Sequence, residues 1–293
     1  MKKYSAIICM ILCLLCFCGC GGKKENNIPS AAEATEAAES SVINPNGETT
    51  QTRINPPQGY ERTQEPEGSF AEYLRTYPLK PDKTPVLLYD GSEKLNQNAH
   101  IAVLKLPLEN ENLQQCADSV MRIYAEYFFE NGEYDKINFR LTNGFAAEYS
   151  KWRKGYRIKF DGNNASWVKS AQPDDSYDCF KKYMRIVFSY AGTMSMESEA
   201  RGIGIDEIKA GDVFLQGGSP GHVVMILDIC ENENGEKAFL LAQGYMPAQE
   251  FHILKNPKHS EDPWYYADEV TYPFITPEYR FDEGSLKRLC YIE

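Results

Sequence analysis

Four residues of this chain have the types and spacing for nucleophilic chemistry at a carbonyl: Cys116, Cys179, His222 and Gln243. A thiol becomes a nucleophile by losing its proton. The positive end of a helix dipole and a histidine within hydrogen-bond reach both promote that loss. Cys179 follows Tyr177-Asp178 at the head of a helix-patterned stretch, where unpaired N–H groups favour a thiolate. His222 opens an apolar run after a glycine-rich turn. The separation of about 43 residues leaves room for a helix, a loop and one strand, so Cys179 and His222 can meet. Cys116 is a rival nucleophile. It too lies near a helix start, beside Asp118, but its spacing puts it on an apolar face with Val120 and Tyr124, where inert core cysteines sit. Gln243 is the candidate third residue, the polar group that would orient the imidazole. With Asn234-Gly235 as a two-residue turn, residue 233 faces 236 and Gln243 faces Ile226. That places Gln243 on the sheet face of His222 but about 13 Å further along, at ~3.3 Å per residue. A bulge near Gly244 would shorten this gap, and Tyr245 lies nearer in register. A structural reading stays open throughout, with His222 a hydrogen-bonded core histidine and no catalytic cysteine at all.

Helices and a mainly antiparallel sheet must position these groups. Residues 113–129 carry Leu113, Cys116, Ala117, Val120, Tyr124, Tyr127 and Phe128 at helical spacing. Residues 176–190 carry a second stripe, Phe180, Tyr183, Met184, Val187 and Phe188, and Gly192 is placed to end it. Ser69 caps a short helix that Pro78 stops. Strands are expected at 86–89, 101–106, 137–141, 213–216, 222–230, 238–243 and 251–254. A hairpin turns at Asp161-Gly162-Asn163-Asn164. Strands clustered after a helix indicate an α+β class rather than alternating β-α-β. The tail from Pro257 is rich in Pro, Tyr and Trp and has no clear period. Asp228 and Glu231 read as ordinary strand-end charges. Trp152, Tyr156 and Trp167 read as core packing, with a ligand groove the other option.

The N-terminus speaks to location. Met1-Lys2-Lys3 and an apolar run over 5–17, too short for a comfortable membrane span, lead into Phe17-Cys18-Gly19-Cys20. The pattern resembles a bacterial lipobox. It implies a signal peptide over 1–19, lipidation at Cys20 and an anchor on the extracytoplasmic face of the cell membrane. Residues 20–52 have no aromatics and read as a flexible tether, leaving 53–293 as a single domain with its core at about 174–256. A formal charge of −11 excludes nucleic acid as a partner held by charge. Cys116, Cys179, Cys230 and Cys290 are widely spaced, which indicates no disulfide scaffold or zinc ribbon. His100, His252 and His259 are scattered, so neither a metal site nor a cofactor is expected.

Two resemblances organise these readings. Asp178-Cys179 at a helix head, Ala191-Gly192 at its end, Gly211-Asp212 before a strand and His222-Val223 opening the next resemble papain-like cell-wall hydrolases of the NlpC type. That likeness implies a core of one helix packed on a mainly antiparallel sheet, with an N-terminal α/β elaboration. It also implies cleavage of an amide in peptidoglycan stem peptides by Cys179, with His222 as base. The Ser-Gly that follows the cysteine in that family is Phe180-Lys181 here. A longer likeness covers residues 53–281, through Gln114-Gln115-Cys116-Ala117-Asp118, Gln216-Gly217-Gly218-Ser219-Pro220-Gly221-His222 and Leu241-Ala242-Gln243-Gly244-Tyr245. This resembles the bacterial family catalogued as domain of unknown function 4846. The same fold without chemistry, a binding or interaction module of the cell envelope, is the other reading of function.

Overall fold

A strand covered on both faces carries an unbroken apolar run rather than an alternating one, and His222–Asn232 is such a strand, buried from its first residue through Cys230. The computed structural model describes residues 41–292. Its helices are α1 (Thr50–Arg53), α2 (Phe70–Arg75), α3 (Cys116–Glu130), α4 (Tyr149–Arg153), α5 (Tyr177–Tyr190) and α6 (Thr193–Glu197). Its strands are β1 (Tyr60–Arg62), β2 (His100–Val103), β3 (Asn138–Arg140), β4 (Ala146–Glu148), β5 (Tyr156–Asp161), β6 (Asn164–Lys169), β7 (Ala200–Gly202), β8 (Val213–Gln216), β9 (His222–Asn232), β10 (Lys237–Gln243), β11 (His252–Leu254), β12 (Tyr265–Tyr266), β13 (Phe274–Ile275), β14 (Arg280–Phe281) and β15 (Leu286–Leu289).

The main sheet runs β2-β11-β10-β9-β8-β15-β7, with β1 added to β9 and β12 to β10, and every pairing is antiparallel. The fold is therefore mixed α+β with a large antiparallel sheet. One face is covered by α3, through Val120, Met121, Tyr124 and Phe128 against Val223, Met225 and Leu227. The other is covered by the C-terminal strands, where Phe274, Phe281 and Tyr265 pack on Phe214, Val224, Ile226 and Phe239. Each large apolar side chain so buried contributes roughly 1.5–3 kcal/mol. The tail without a period thus forms the second cover of the sheet.

α3 is buried almost all round, because α5 lies on its outer side. Arg122 is buried there too, held by Glu126, Tyr177 (2.9 Å) and Glu109 (3.4 Å). α5 keeps the predicted stripe, with Ser176 accepting the Cys179 N–H at 3.2 Å as its N-cap.

Two expected boundaries are corrected. Residues 41–52, assigned to the tether by composition, belong to the folded unit. Asn55 N–H donates to Val42 O (2.7 Å), Leu79 N–H to Glu48 O (2.8 Å), and Thr50 and Arg53 are buried. Backbone pairing and the Arg53 guanidinium, which donates to Gly47 O at 2.8 Å, secure a segment poor in apolar side chains. The core is also wider than 174–256, because its central helix is α3 rather than α5. The signal peptide expected over 1–19, the expected lipidation site Cys20 and the expected tether over 20–40 lie outside the described residues. Among the described residues, no helix is long and apolar enough to cross a membrane.

Candidate functional site

The site forms where the start of α3 meets the start of β9 and the end of β10. Gln243 reaches His222 because of two features that residue spacing does not reveal. The β9–β10 turn is one residue longer than a two-residue turn, with Asn232 N–H bonded to Glu236 O (3.0 Å) and Glu231 facing Lys237. A β-bulge then shifts the register: Leu240 faces Asp228, but Leu241 faces Ile226. Ala242 consequently faces Met225, and Gln243 comes opposite Val224 instead of Ile226. The expected 13 Å gap closes, and His222 Nε2 lies 2.8 Å from Gln243 Oε1.

The orientation of that bond is determined. Gln243 Nε2 lies 2.8 Å from Glu278 Oε2, an obligate acceptor, so the amide NH2 faces Glu278 and its oxygen faces His222. His222 therefore carries its proton on Nε2 and leaves the Nδ1 lone pair bare. The ring is enclosed by Tyr245 and Tyr279, each 4.8 Å away between centroids, and by Phe281. Burial pushes its pKa down to about 4, against the opposing effect of Gln243, so the imidazole is neutral near pH 7.

The cysteine brought to this end of the sheet is Cys116. It is the first residue of α3, and the N–H groups of Ala117, Val223 and Cys116 itself favour its thiolate. Val223 is the neighbour of His222 in β9. The charge of an ionised Cys116 also reaches the two phenols on the His222 ring. Burial, Glu278 and then Cys116 raise the Tyr245 pKa, and burial followed by Cys116 raises that of Tyr279. Burial, followed by Asp118, pushes the Cys116 thiol up to about 11, so the resting pair is neutral thiol and neutral imidazole. Asp118 accepts the Gln115 N–H (3.0 Å) with one oxygen, while the other is buried without a partner. Burial raises its pKa to about 8, so near pH 7 it is mostly protonated and places little charge beside the sulfur.

Cys179 stands at the start of a helix as expected, but away from the histidine. A cleft of about 410 Å³ opens over Cys116, walled by Leu113, Phe188, residues 191–194, the turn 218–221 and Met246. The wall contributed by α5 is its C-terminal end. Cys179 lies nine residues back from Phe188, about 13 Å along the helix at ~1.5 Å per residue. It is 1% exposed, and the groups that bear on its thiol are Asp174, Arg157, Trp152 and Lys182. Trp152 donates to Cys179 O at 3.2 Å, which makes that tryptophan a core residue. Of the two candidate cysteines, Cys116 rather than Cys179 is therefore the one beside the start of β9. Cys116 and Cys179 share the helix-start signal, and only the packing of α3 on β9 separates them.

Lys94, His252, Glu278 and Tyr279 also belong to the site, and sequence reasoning passed over their roles there. Glu278 arrives on the tip of the β13–β14 hairpin, and its charge is paired with Lys94. His252 faces Gln243 across β11 and β10, a placement that the expected strands could have suggested. Among the described residues, no group of three or more His, Cys, Asp or Glu is arranged to hold a metal.

The close approach of α3 to β10 requires Gly244. A Cβ there would lie 2.5 Å from Ser119 Oγ and 2.9 Å from Gln115 O, a backbone atom that cannot rotate away. Gly244→Ala is expected to cost about 1–3 kcal/mol by overpacking and to push Cys116 out of place. Urea unfolding, together with the rate of covalent labelling at Cys116, checks both effects.

Fold and site together define an α+β domain with a helix-start cysteine and a buried strand-start histidine at one end of an antiparallel sheet, the cysteine lining an open cleft. The chain belongs to the family described as Domain of unknown function (4846), which matches it over residues 50–288. No curated protein and no solved structure matches it.

Proposed function

We propose that the protein is a cysteine amidase or peptidase with a papain-like core, anchored through lipid on Cys20 at the extracytoplasmic face of the membrane. In this reading Cys116 is the nucleophile, His222 the base, and Gln243 the group that orients the imidazole. One observation carries it: the start of α3 sets Cys116 against the Val223 N–H, one residue from the His222 that Gln243 holds at 2.8 Å, and Cys116 lines a cleft open to solvent. Because both partners rest neutral, the proton leaves Sγ as the sulfur attacks rather than beforehand. Sγ bonds to the amide carbon, the thiol proton passes to His222 Nδ1, and the carbonyl oxygen is met by N–H groups at the start of α3. His222 then protonates the departing amine. Water, deprotonated by the same nitrogen, hydrolyses the thioester and restores the thiol.

The cleft wall bears on the substrate. Among the described residues, its only ionisable groups are Cys116 and Asp118. A substrate carboxylate buried there would find no cation, at a cost of several kcal/mol. The amide cleaved is therefore one flanked by small, uncharged residues within a cell-wall peptide. A vinyl sulfone carried on an alanyl peptide tests this reading. Mass spectrometry is expected to find one adduct on folded protein, at Cys116, and its formation slows at least about 10²-fold in His222→Ala, as loss of a general base does. An unmodified Cys116 in folded protein, with no peptide released from purified peptidoglycan, overturns it.

A further inference from the structure

We infer that Glu278 is a positioning residue that sets the tautomer of His222 through Gln243; this rests on the reading of His222 as the base. A glutamine amide is nearly symmetric in shape, and either end can face an imidazole. If the NH2 faced His222, Nε2 would become an acceptor and the proton would move to Nδ1, leaving no lone pair there for a thiol proton. Glu278 prevents that arrangement. Its Oε2 takes the Gln243 NH2 at 2.8 Å and is paired with Lys94, while Oε1 takes the Asn96 NH2 at 3.2 Å. Its backbone oxygen accepts the Tyr245 hydroxyl at 3.1 Å, tying the hairpin tip to the ring that borders His222. The Glu278 side chain is only 10% exposed, so little water competes for these bonds.

His252 adds a weaker preference of the same sense. Its Nδ1–H donates to Glu250 O at 2.8 Å, so its bare Nε2 faces the Gln243 NH2 at 3.4 Å. The order of control runs from Glu278 to the Gln243 amide, and from there to the His222 tautomer. Glu278 touches no reacting atom; it acts by forbidding one orientation of the residue that does the orienting.

The test uses full-length protein in detergent micelles, labelled with nitrogen-15 histidine. Wild type is expected to show His222 protonated on Nε2 alone. Glu278→Met, whose thioether is only a weak acceptor, is expected to bring up a substantial Nδ1–H population and to slow adduct formation with the alanyl vinyl sulfone. The slowing falls between about tenfold and 10⁴-fold, the range over which a wrong histidine tautomer acts. Glu278→Gln keeps an acceptor oxygen and retains the Nε2–H form. Lys94→Met/Glu278→Met removes both charges of the pair, so it guards against loss of fold in the single variant; it is expected to show the same shift. His222 remaining wholly Nε2–H in folded Glu278→Met or in the double variant overturns the inference, as does an Nδ1–H wild type. A tautomer shift in protein whose Cys116 forms no adduct in any variant upholds the inference and overturns the amidase reading.

Discussion

Cys116→Ala is expected to lose between about 10³-fold and 10⁶-fold in turnover of an alanyl peptide amide, the range seen when a covalent nucleophile is deleted. Cys179→Ala is expected to turn over at the wild-type rate per folded molecule. Both cysteines stand in the first turn of a helix, and both thiols are raised by burial. The difference is in what lies opposite. Cys116 meets β9 at Val223, beside the histidine, and lines the cleft; Cys179 meets Trp152 and Arg157 in the helical layer. Removing the Cys179 sulfur therefore takes packing only, at about 1 kcal/mol, which appears as a lower urea midpoint. Steady-state kinetics at matched folded concentration reads the split. Lost turnover in Cys179→Ala with Cys116→Ala active would reverse the assignment.

The central strands and the two main helices were legible because their periodicity is strong, and the α+β class followed from their order; the strand expected at 86–89 makes only isolated bridges at Leu87 and Leu88. His222 and Gln243 were legible as types, each near a strand end. Their contact was not legible, because register depends on one added turn residue and one bulge, and the run 222–230, apolar but for His222 and Asp228, has no alternation to show where the bulge falls. Which of the two helix-start cysteines lies beside the start of β9 was not legible for a related reason. The helix-start signal is local and occurs twice, whereas the choice between the two depends on which helix lies against the central sheet. Glu278 and Tyr279 come from a tail whose strands, Phe274–Ile275 and Arg280–Phe281, are too short to show alternation. Residues 41–52 pair through backbone and one arginine, which composition does not register.

Asp228→Ala is expected to cost about 3–5 kcal/mol, because it takes the buried carboxylate from the buried Arg75 and the half-buried Arg62. Asp228 reads as a strand-end charge but is fully buried in mid-strand. Its two oxygens take Arg62 Nε and Arg75 Nε, each at 2.7 Å, which fastens β1 and α2 to β9. Arg75 also donates to Thr63 O at 2.8 Å. Against a total of about 5–15 kcal/mol for an ordinary domain, such a loss populates the unfolded state and is read as a fall in Tm and urea midpoint. Asp228 also sits at the register shift, facing Leu240 at the last pair before the bulge, and its Oδ1 accepts the Ile229 N–H at 2.9 Å. The carboxylate thus stabilises the irregularity that brings Gln243 opposite Val224, and so within reach of His222. Replacing the whole group, with Arg62→Met, Asp228→Leu and Arg75→Met together, removes both cations along with the anion they share and is expected to recover most of the stability. It does not restore the acceptor for Ile229 N–H, so the β9–β10 register relaxes and the His222–Gln243 bond weakens. Recovered stability with slow labelling at Cys116 is the expected pairing. Full recovery of both would mean that the bulge persists without its carboxylate, and that Asp228 serves stability alone.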